Sequence, residues 1–292
     1  MLNPHLRFAV ETLLKAANPR GEPYYRTTHF QKMVFLLYIN LKKKHLDLKL
    51  PYCWYHYGPY TNAIEFERQT GVPLSYYTPD DEPTIAIDDV FHEGISSKEA
   101  ALIDREARKI VKKYQTDGKY NFDYLNNLLD DTYAYAPFEF QRVFNRDFIK
   151  ILRRLASYDV SKEEVELYLD RLMKYYPYSE IHELYDAYLE WDDTIRLALN
   201  FSSSMEVERL AKDFWMIFTE ALRMNENENI SEDIKVEWRF IFYDKYDKYL
   251  ADLGKKRAHL LRIYEKDFKT DGEIEMIVDE MNKLAYKMAI ER

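Results

Sequence analysis

Cysteine, histidine and aspartate stand close together in one aromatic stretch, where these residue types could bind zinc. Cys53 and His56 are three residues apart, and His45 and Asp47 lie shortly before them. Thiolate, imidazole and carboxylate are the ligands that zinc takes. Along a strand, however, side chains alternate between faces, so Cys53 and His56 should point in opposite directions. No second pair of Cys or His completes a tetrahedral set. We therefore predict no metal site and no cofactor.

Carboxylates near a lysine form the other pattern that could do chemistry. Asp80 and, further on, Asp117 with Lys119 resemble the paired carboxylates and lysine of metal-dependent nucleases. Their separation is long, and Asp117 is expected in a turn rather than on a strand. The seven glycines form neither a G-x-G-x-x-G nor a phosphate-loop sequence, and no Ser or Cys has the setting of a nucleophile. We predict a protein that is not an enzyme and keep a metal-dependent nuclease as an alternative.

Basic residues concentrate in residues 23–63, where Asp47 is the single acidic side chain. The basic side chains there are Arg26, Lys32, Lys42, Lys43, Lys44 and Lys49. A basic helix followed by a β-wing is how winged-helix proteins contact phosphate groups, so the five lysines are candidate nucleic-acid contacts. Two other interpretations stay open. The lysines at 42–44 could complement the dipole at a helix C-terminus, or the segment could steer an acidic protein partner.

Aromatic residues follow this basic stretch in close succession. They are Tyr52, Trp54, Tyr55, Tyr57 and Tyr60. Such rings could stack on bases or pack in a core. The sequence Tyr57-Gly58-Pro59-Tyr60 predicts a Gly-Pro turn flanked by two amphipathic rings. We therefore add Trp54, Tyr57, Gly58, Pro59 and Tyr60 to the candidate partner- or nucleic-acid-binding residues.

Hydrophobic periodicity and capping residues predict the elements that position these side chains. The N-terminal part should combine helices over 6–17, 28–45, 62–69, 96–114 and 122–129 with a strand over 50–57. Two short β-like pieces, over 75–78 and 84–87, predict a hairpin or an ordered loop. After a boundary within 132–137, the chain should be all helix. A long helix is expected over 231–267, which Gly254 could divide, and a last one over 274–288. We predict a mainly α protein with a winged-helix-like domain at 1–140 and an antiparallel helical domain at 141–292.

Composition narrows the class further. The chain carries 42 Lys and Arg against 51 Asp and Glu, and the excess of acid lies after residue 144. No apolar run is long enough to span a bilayer, so we predict no membrane contact. The single cysteine excludes a disulfide within one chain and predicts the cytoplasm. The acidic helical domain could serve homo-oligomerisation.

Two motifs resemble a known family, the Panacea antitoxin-like domains and the related YwgA-type bacterial and archaeal proteins. They are Thr28-His29-Phe30-Gln31-Lys32-Met33-Val34-Phe35-Leu36-Leu37 and Trp54-x-x-x-Gly58-Pro59-Tyr60. The resemblance covers about residues 5–140. Where many relatives have a Thr-His pair, this chain has Asp131-Thr132-Tyr133. The resemblance implies a helix-rich, winged-helix-like domain without catalysis, which binds another protein, often a toxin or a protease substrate, or in some settings DNA.

The predicted function is that of a non-enzymatic, antitoxin-like regulatory protein that binds a protein partner through its N-terminal domain. A winged-helix regulator that binds DNA or RNA is the alternative, and a metal-dependent nuclease is the second alternative.

Overall fold

A computed structural model describes residues 2–17, 27–72, 93–114, 122–157 and 159–270. The β-like pieces predicted over 75–78 and 84–87 and the last helix predicted over 274–288 lie outside these residues. So do Asp80, Asp117 and Lys119, the side chains of the nuclease alternative.

The N-terminal part contains five of the described helices. They are α1 (Pro4–Ala17), α2 (Thr27–Lys42), α3 (Ala63–Thr70), α4 (Ser97–Tyr114) and α5 (Phe122–Tyr133). Local capping sets several of their ends: the Asn62 side chain accepts a hydrogen bond from the Glu65 amide, and Ser96 and Glu99 form a reciprocal box ahead of α4. α5 is four residues longer than predicted, and it ends at Tyr133.

Helices dominate the described residues that follow α5. They are α6 (Glu139–Arg142), a π-helical turn (Val143–Phe148), α7 (Ile149–Ala156), α8 (Lys162–Tyr175), a 3-10 turn (His182–Leu184), α9 (Tyr185–Phe201), α10 (Ser204–Asn225) and α11 (Glu232–Thr270). Ser161 and Glu164 form the capping box of α8. Gly254 lies inside α11 and does not divide it. Residues 139–156 were not singled out as a helical segment from the sequence.

Three short antiparallel strands form a sheet, β1 (Tyr52–Tyr55), β2 (Gly58–Thr61) and β3 (Asn227–Glu228), in the order β2-β1-β3. The strand predicted over 50–57 extends too far: the observed strand ends at Tyr55, because Tyr55 pairs with Gly58 and the chain reverses at His56 and Tyr57. Gly58 and Pro59 therefore belong to β2 rather than to the turn. Since β2 is an edge strand, the missing amide of Pro59 breaks no ladder.

The buried hydrophobic side chains of both halves form one main cluster, which extends from Leu6 in α1 to Leu260 in α11. β1 belongs to the first half and pairs with β3 of the second. The structure confirms a mainly α fold with a few short strands. The finer predictions, a winged-helix-like domain and a boundary at residue 140, stay predictions. Among the described helices, none combines the length and apolarity needed to cross a membrane.

Candidate functional site

Lys32 holds the β1–β2 hairpin from the side of α2. Its side chain is buried, with 2 % of the residue exposed, and its Nζ donates a hydrogen bond to the Pro59 carbonyl oxygen at 2.5 Å. Burial disfavours the charged amine and lowers the pKa of Lys32 to about 7. The expectation that Lys32 contacts phosphate groups is therefore corrected, because its ammonium group faces a backbone carbonyl inside the protein.

Trp54 and Gly58 pack in the same interior region. The Trp54 ring lies 5.8 Å from the Tyr133 ring and is 3 % exposed, so it too is corrected from a contact residue to a core residue. Gly58 has a φ of +92°, and a Cβ on it would lie 3.4 Å from Tyr133 and 3.6 Å from Lys32. Its neighbour Pro59 is buried as well. These motif residues fit the hairpin closely against α2 and α5.

The opposite side of the hairpin is bound to α10. The Tyr55 hydroxyl donates to Glu220 at 2.8 Å, and His56 Nδ1 lies 2.6 Å from the Thr219 hydroxyl. Trp215 Nε1 donates to the His56 carbonyl oxygen at 2.8 Å. The hairpin is thus anchored on both sides by elements that are far apart in sequence.

Glu220 is the centre of a buried charged cluster at this contact. Its side chain is 1 % exposed, and Arg223 Nη2 lies 2.5 Å from it, close in distance although without hydrogen-bond geometry. Lys245 of α11 also pairs with Glu220. The Arg223 guanidinium lies over the rings of Tyr55 and Trp238, at 4.9 and 5.1 Å from their centroids. The cluster joins the hairpin, α10 and α11.

The titratable groups beside this cluster are held in neutral forms. Burial lowers the pKa of His56 to about 4 and raises the pKa of the Cys53 thiol to about 12. A thiol with a raised pKa is a poor nucleophile and a poor metal ligand. Cys53 packs with Ile230 and Trp238, and within the described residues no three His, Cys, Asp or Glu side chains are placed to hold a metal ion.

Tyr57 is the most exposed aromatic residue of the hairpin. It lies in the two-residue turn, and 67 % of it is exposed. Tyr60, on β2, is partly buried, with its ring 5.8 Å from that of Tyr55. Of the aromatic residues predicted to contact a partner, Tyr57 is therefore exposed to solvent and Tyr60 is partly exposed.

The four remaining candidate lysines all lie at the surface, and each has a partner within the chain. Lys42 pairs with Glu228 at 2.9 Å, Lys49 with Asp47 at 2.8 Å, and Lys44 with the buried Glu106. The ammonium group of Lys43 donates to the Tyr135 hydroxyl at 2.8 Å. Two of the four lysines, Lys42 and Lys44, thus pair with acids from distant parts of the sequence, while Lys49 pairs with the nearby Asp47 and Lys43 with a tyrosine.

Sequence reasoning missed Glu220, Arg223 and Lys245. Their spacing is ordinary for helix surfaces, and no local pattern marks Glu220 as buried. Their role follows from the docking of α10 and α11 on β1.

No family model, no curated protein and no solved structure matches this chain. The resemblance to the Panacea-type domains stays a prediction.

Proposed function

We propose that the protein is a non-enzymatic, antitoxin-like regulatory protein that binds a protein partner through the β1–β2 hairpin. The observation that carries the proposal is Tyr57, a ring that is 67 % exposed on a turn whose two strands are anchored on both sides. An exposed aromatic residue on a fixed scaffold loses little entropy when it is buried by a partner. The family resemblance would make that partner a toxin or a protease substrate.

The paired lysines favour a protein partner over nucleic acid. Affinity for nucleic acid comes largely from cations that replace the counterions of phosphate groups. Lys42, Lys44 and Lys49 already have carboxylate partners, so fewer unpaired charges remain for phosphate. The single cysteine supports a reducing compartment, and we place the interaction in the cytoplasm.

The test begins with affinity capture of the partner on the full chain, followed by calorimetric titration with the purified partner. Tyr57→Ala should weaken binding about tenfold or more, the loss expected of an aromatic anchor. Tyr178→Ala is the matched control, because Tyr178 is 59 % exposed and lies in the helical half. Equal affinities for wild type and Tyr57→Ala, with melting temperatures unchanged, would refute the proposal.

A second arm tests the nucleic-acid alternative. Fluorescence anisotropy with a mixed DNA and RNA pool, at two salt concentrations, should show weak binding at both. Tight binding that is lost at high salt and in the double variant Lys42→Glu, Lys43→Glu would favour the nucleic-acid regulator instead.

Self-association through the helical half is a further part of the proposal. Val236, Phe240 and Tyr243 lie on one face of α11 and are 44, 74 and 60 % exposed, an unusual exposure for large apolar residues. Light scattering should therefore find a dimer or larger species that Phe240→Asp converts to monomer. A wild-type monomer at all concentrations would contradict this part alone.

A further inference from the structure

Basic side chains from α2 and α4 meet around a single carboxylate. Glu106 of α4 is buried, with 4 % of its side chain exposed, and its Oε1 lies 3.2 Å from Arg105 Nε and 3.0 Å from Lys109 Nζ. Lys44, which follows the end of α2, pairs with the same oxygen. Three cations therefore share one negative charge, and this charge balances only one of them.

The positive charge continues along α4 and onto the end of α2. Lys112 and Lys113 lie three and four residues after Lys109, so they extend the same face of the helix. Lys113 pairs with Asp131 of α5 at 2.6 Å. Lys112 and Lys43 are exposed, and neither forms an ion pair within the part of the chain that the structure describes.

The excess of positive charge follows from these contacts. We call the following six cations the basic patch: Lys43, Lys44, Arg105, Lys109, Lys112 and Lys113. Among the described residues, the carboxylates that pair with these six cations are the two of Glu106 and Asp131, which leaves a net charge of +4. Burial raises the pKa of Glu106, but its three cations outweigh burial and lower that pKa to about 2, so its charge is retained. The whole chain, by contrast, has a net charge of -9.

Tyr135 adds an aromatic ring to the basic patch. The ring is 37 % exposed, and Lys43 Nζ lies 4.5 Å from its centroid and donates to its hydroxyl at 2.8 Å. On its other side, the ring lies 6.3 Å from that of Phe35 in the core. Because the core holds Tyr135, the position of Lys43 is restrained before any partner arrives, which reduces the entropy lost on binding.

The size and charge of the basic patch favour an acidic protein segment over nucleic acid. Nucleic-acid binding gains its affinity from many phosphate contacts, often about six to ten, and the excess here is +4. The net negative charge of the chain would also repel a long polyanion. A short run of carboxylates can cover the patch alone, and complementary charge of this kind speeds association and fixes orientation.

We propose that the basic patch binds a short acidic segment of a protein partner, a run of glutamate or aspartate residues. The carboxylates of the segment would face the exposed cations Lys43, Lys109 and Lys112. The basic patch is a second contact surface, and its binding of an acidic segment does not require that the hairpin bind a partner.

Fluorescence anisotropy with the full-length protein and a labelled peptide of eight glutamates tests the proposal, with a peptide of alternating glutamine and serine as the neutral probe. The acidic peptide should bind with a Kd below about 1 mM at low salt and about tenfold more weakly at roughly 300 mM salt. Equal affinity for the two peptides, or no binding of the acidic one, would overturn the proposal. Tighter binding of single-stranded DNA of equal charge would overturn the choice of a protein segment.

Variants of exposed lysines locate the site. The double variant Lys109→Ala, Lys112→Ala should weaken peptide binding about tenfold, since each exposed charge interaction is worth about threefold. Glu106 keeps Lys44 and Arg105 in this variant, so the fold should be retained.

Lys150→Ala is the matched control for Lys112→Ala, because Lys150 of α7 is also an exposed lysine without an ion pair among the described residues. Lys112→Ala should weaken binding about threefold and Lys150→Ala should leave it unchanged. An equal loss in these two variants, or unchanged binding in the double variant with an unchanged circular dichroism spectrum, would overturn the proposal.

Discussion

Replacement of Lys32 by methionine should change the way stability depends on pH. In the folded protein, burial lowers the pKa of Lys32 from about 10.5 to about 7. In the unfolded chain, the ammonium group keeps its proton to about pH 10. Between these values the unfolded state binds more protons than the folded state, so the free energy of unfolding should rise with pH.

The magnitude follows from the size of this shift. One pKa unit corresponds to 1.36 kcal/mol, and the gain between pH 7 and 8.5 is therefore roughly 2 kcal/mol. Ionisation of Cys53 in the unfolded chain acts in the opposite direction above about pH 8.5, because its pKa is raised in the folded state. Lys32→Met keeps the Cys53 thiol, and this thiol contributes little below about pH 8.5, so the difference between the two curves over this range reports mainly on Lys32.

The assay is urea unfolding followed by circular dichroism, at half-unit steps from pH 7 to 8.5. Wild type should gain about 2 kcal/mol over this range relative to Lys32→Met. The variant also leaves the Pro59 carbonyl without its donor, at a cost of about 1 to 3 kcal/mol that is independent of pH. Lys43→Met, a substitution at an exposed lysine, should keep the wild-type slope. If the free energy of unfolding changes with pH equally in wild type and Lys32→Met, then Lys32 does not lose its proton near pH 7 in the folded protein, and this reasoning is refuted.

Two further predictions concern backbone and charge. Gly58→Ala should lower stability by about 1 to 2 kcal/mol, because φ is +92° and the new Cβ would lie 3.4 Å from Tyr133. Gly254→Ala, in a helix interior with its nearest contact at 4.0 Å, should raise stability by up to about 1 kcal/mol. Urea unfolding measures both, and an equal sign for the two would contradict this reasoning. Glu220→Gln should cost about 3 kcal/mol, since it removes the buried negative charge that faces Arg223 and Lys245. A cost below about 1 kcal/mol in the same assay would contradict this reasoning.

Local signals predicted many of the helices. Asn62 and Ser96 stand three residues before a glutamate, and a helix follows each of them in the structure. These signals are reliable because a cap satisfies backbone donors within one turn and needs no distant residue. The long helix α11 was likewise predicted over most of its length. The sequence left open whether Gly254 divides it, and in the structure the helix continues across Gly254.

The turn of the hairpin shows where local signals fail. Gly58-Pro59 is a common turn sequence, and the sequence therefore predicts a turn at these two residues. Strand register moved the turn to His56 and Tyr57, because Tyr55 pairs with Gly58 and the positive φ of Gly58 is used at the start of β2. Register depends on which side chains the rest of the protein buries.

The sequence by itself determined the helical class, the caps and the aromatic, basic character of the hairpin region, because these follow from periodicity and residue type. Only the tertiary structure decided which charges are available. Lys32 is buried because α2 packs on β2, where its amino group donates to the Pro59 carbonyl oxygen. Lys42 pairs with Glu228, which is 186 residues away in the sequence. Burial and ion pairing are long-range properties, since they depend on elements that meet only when the chain folds.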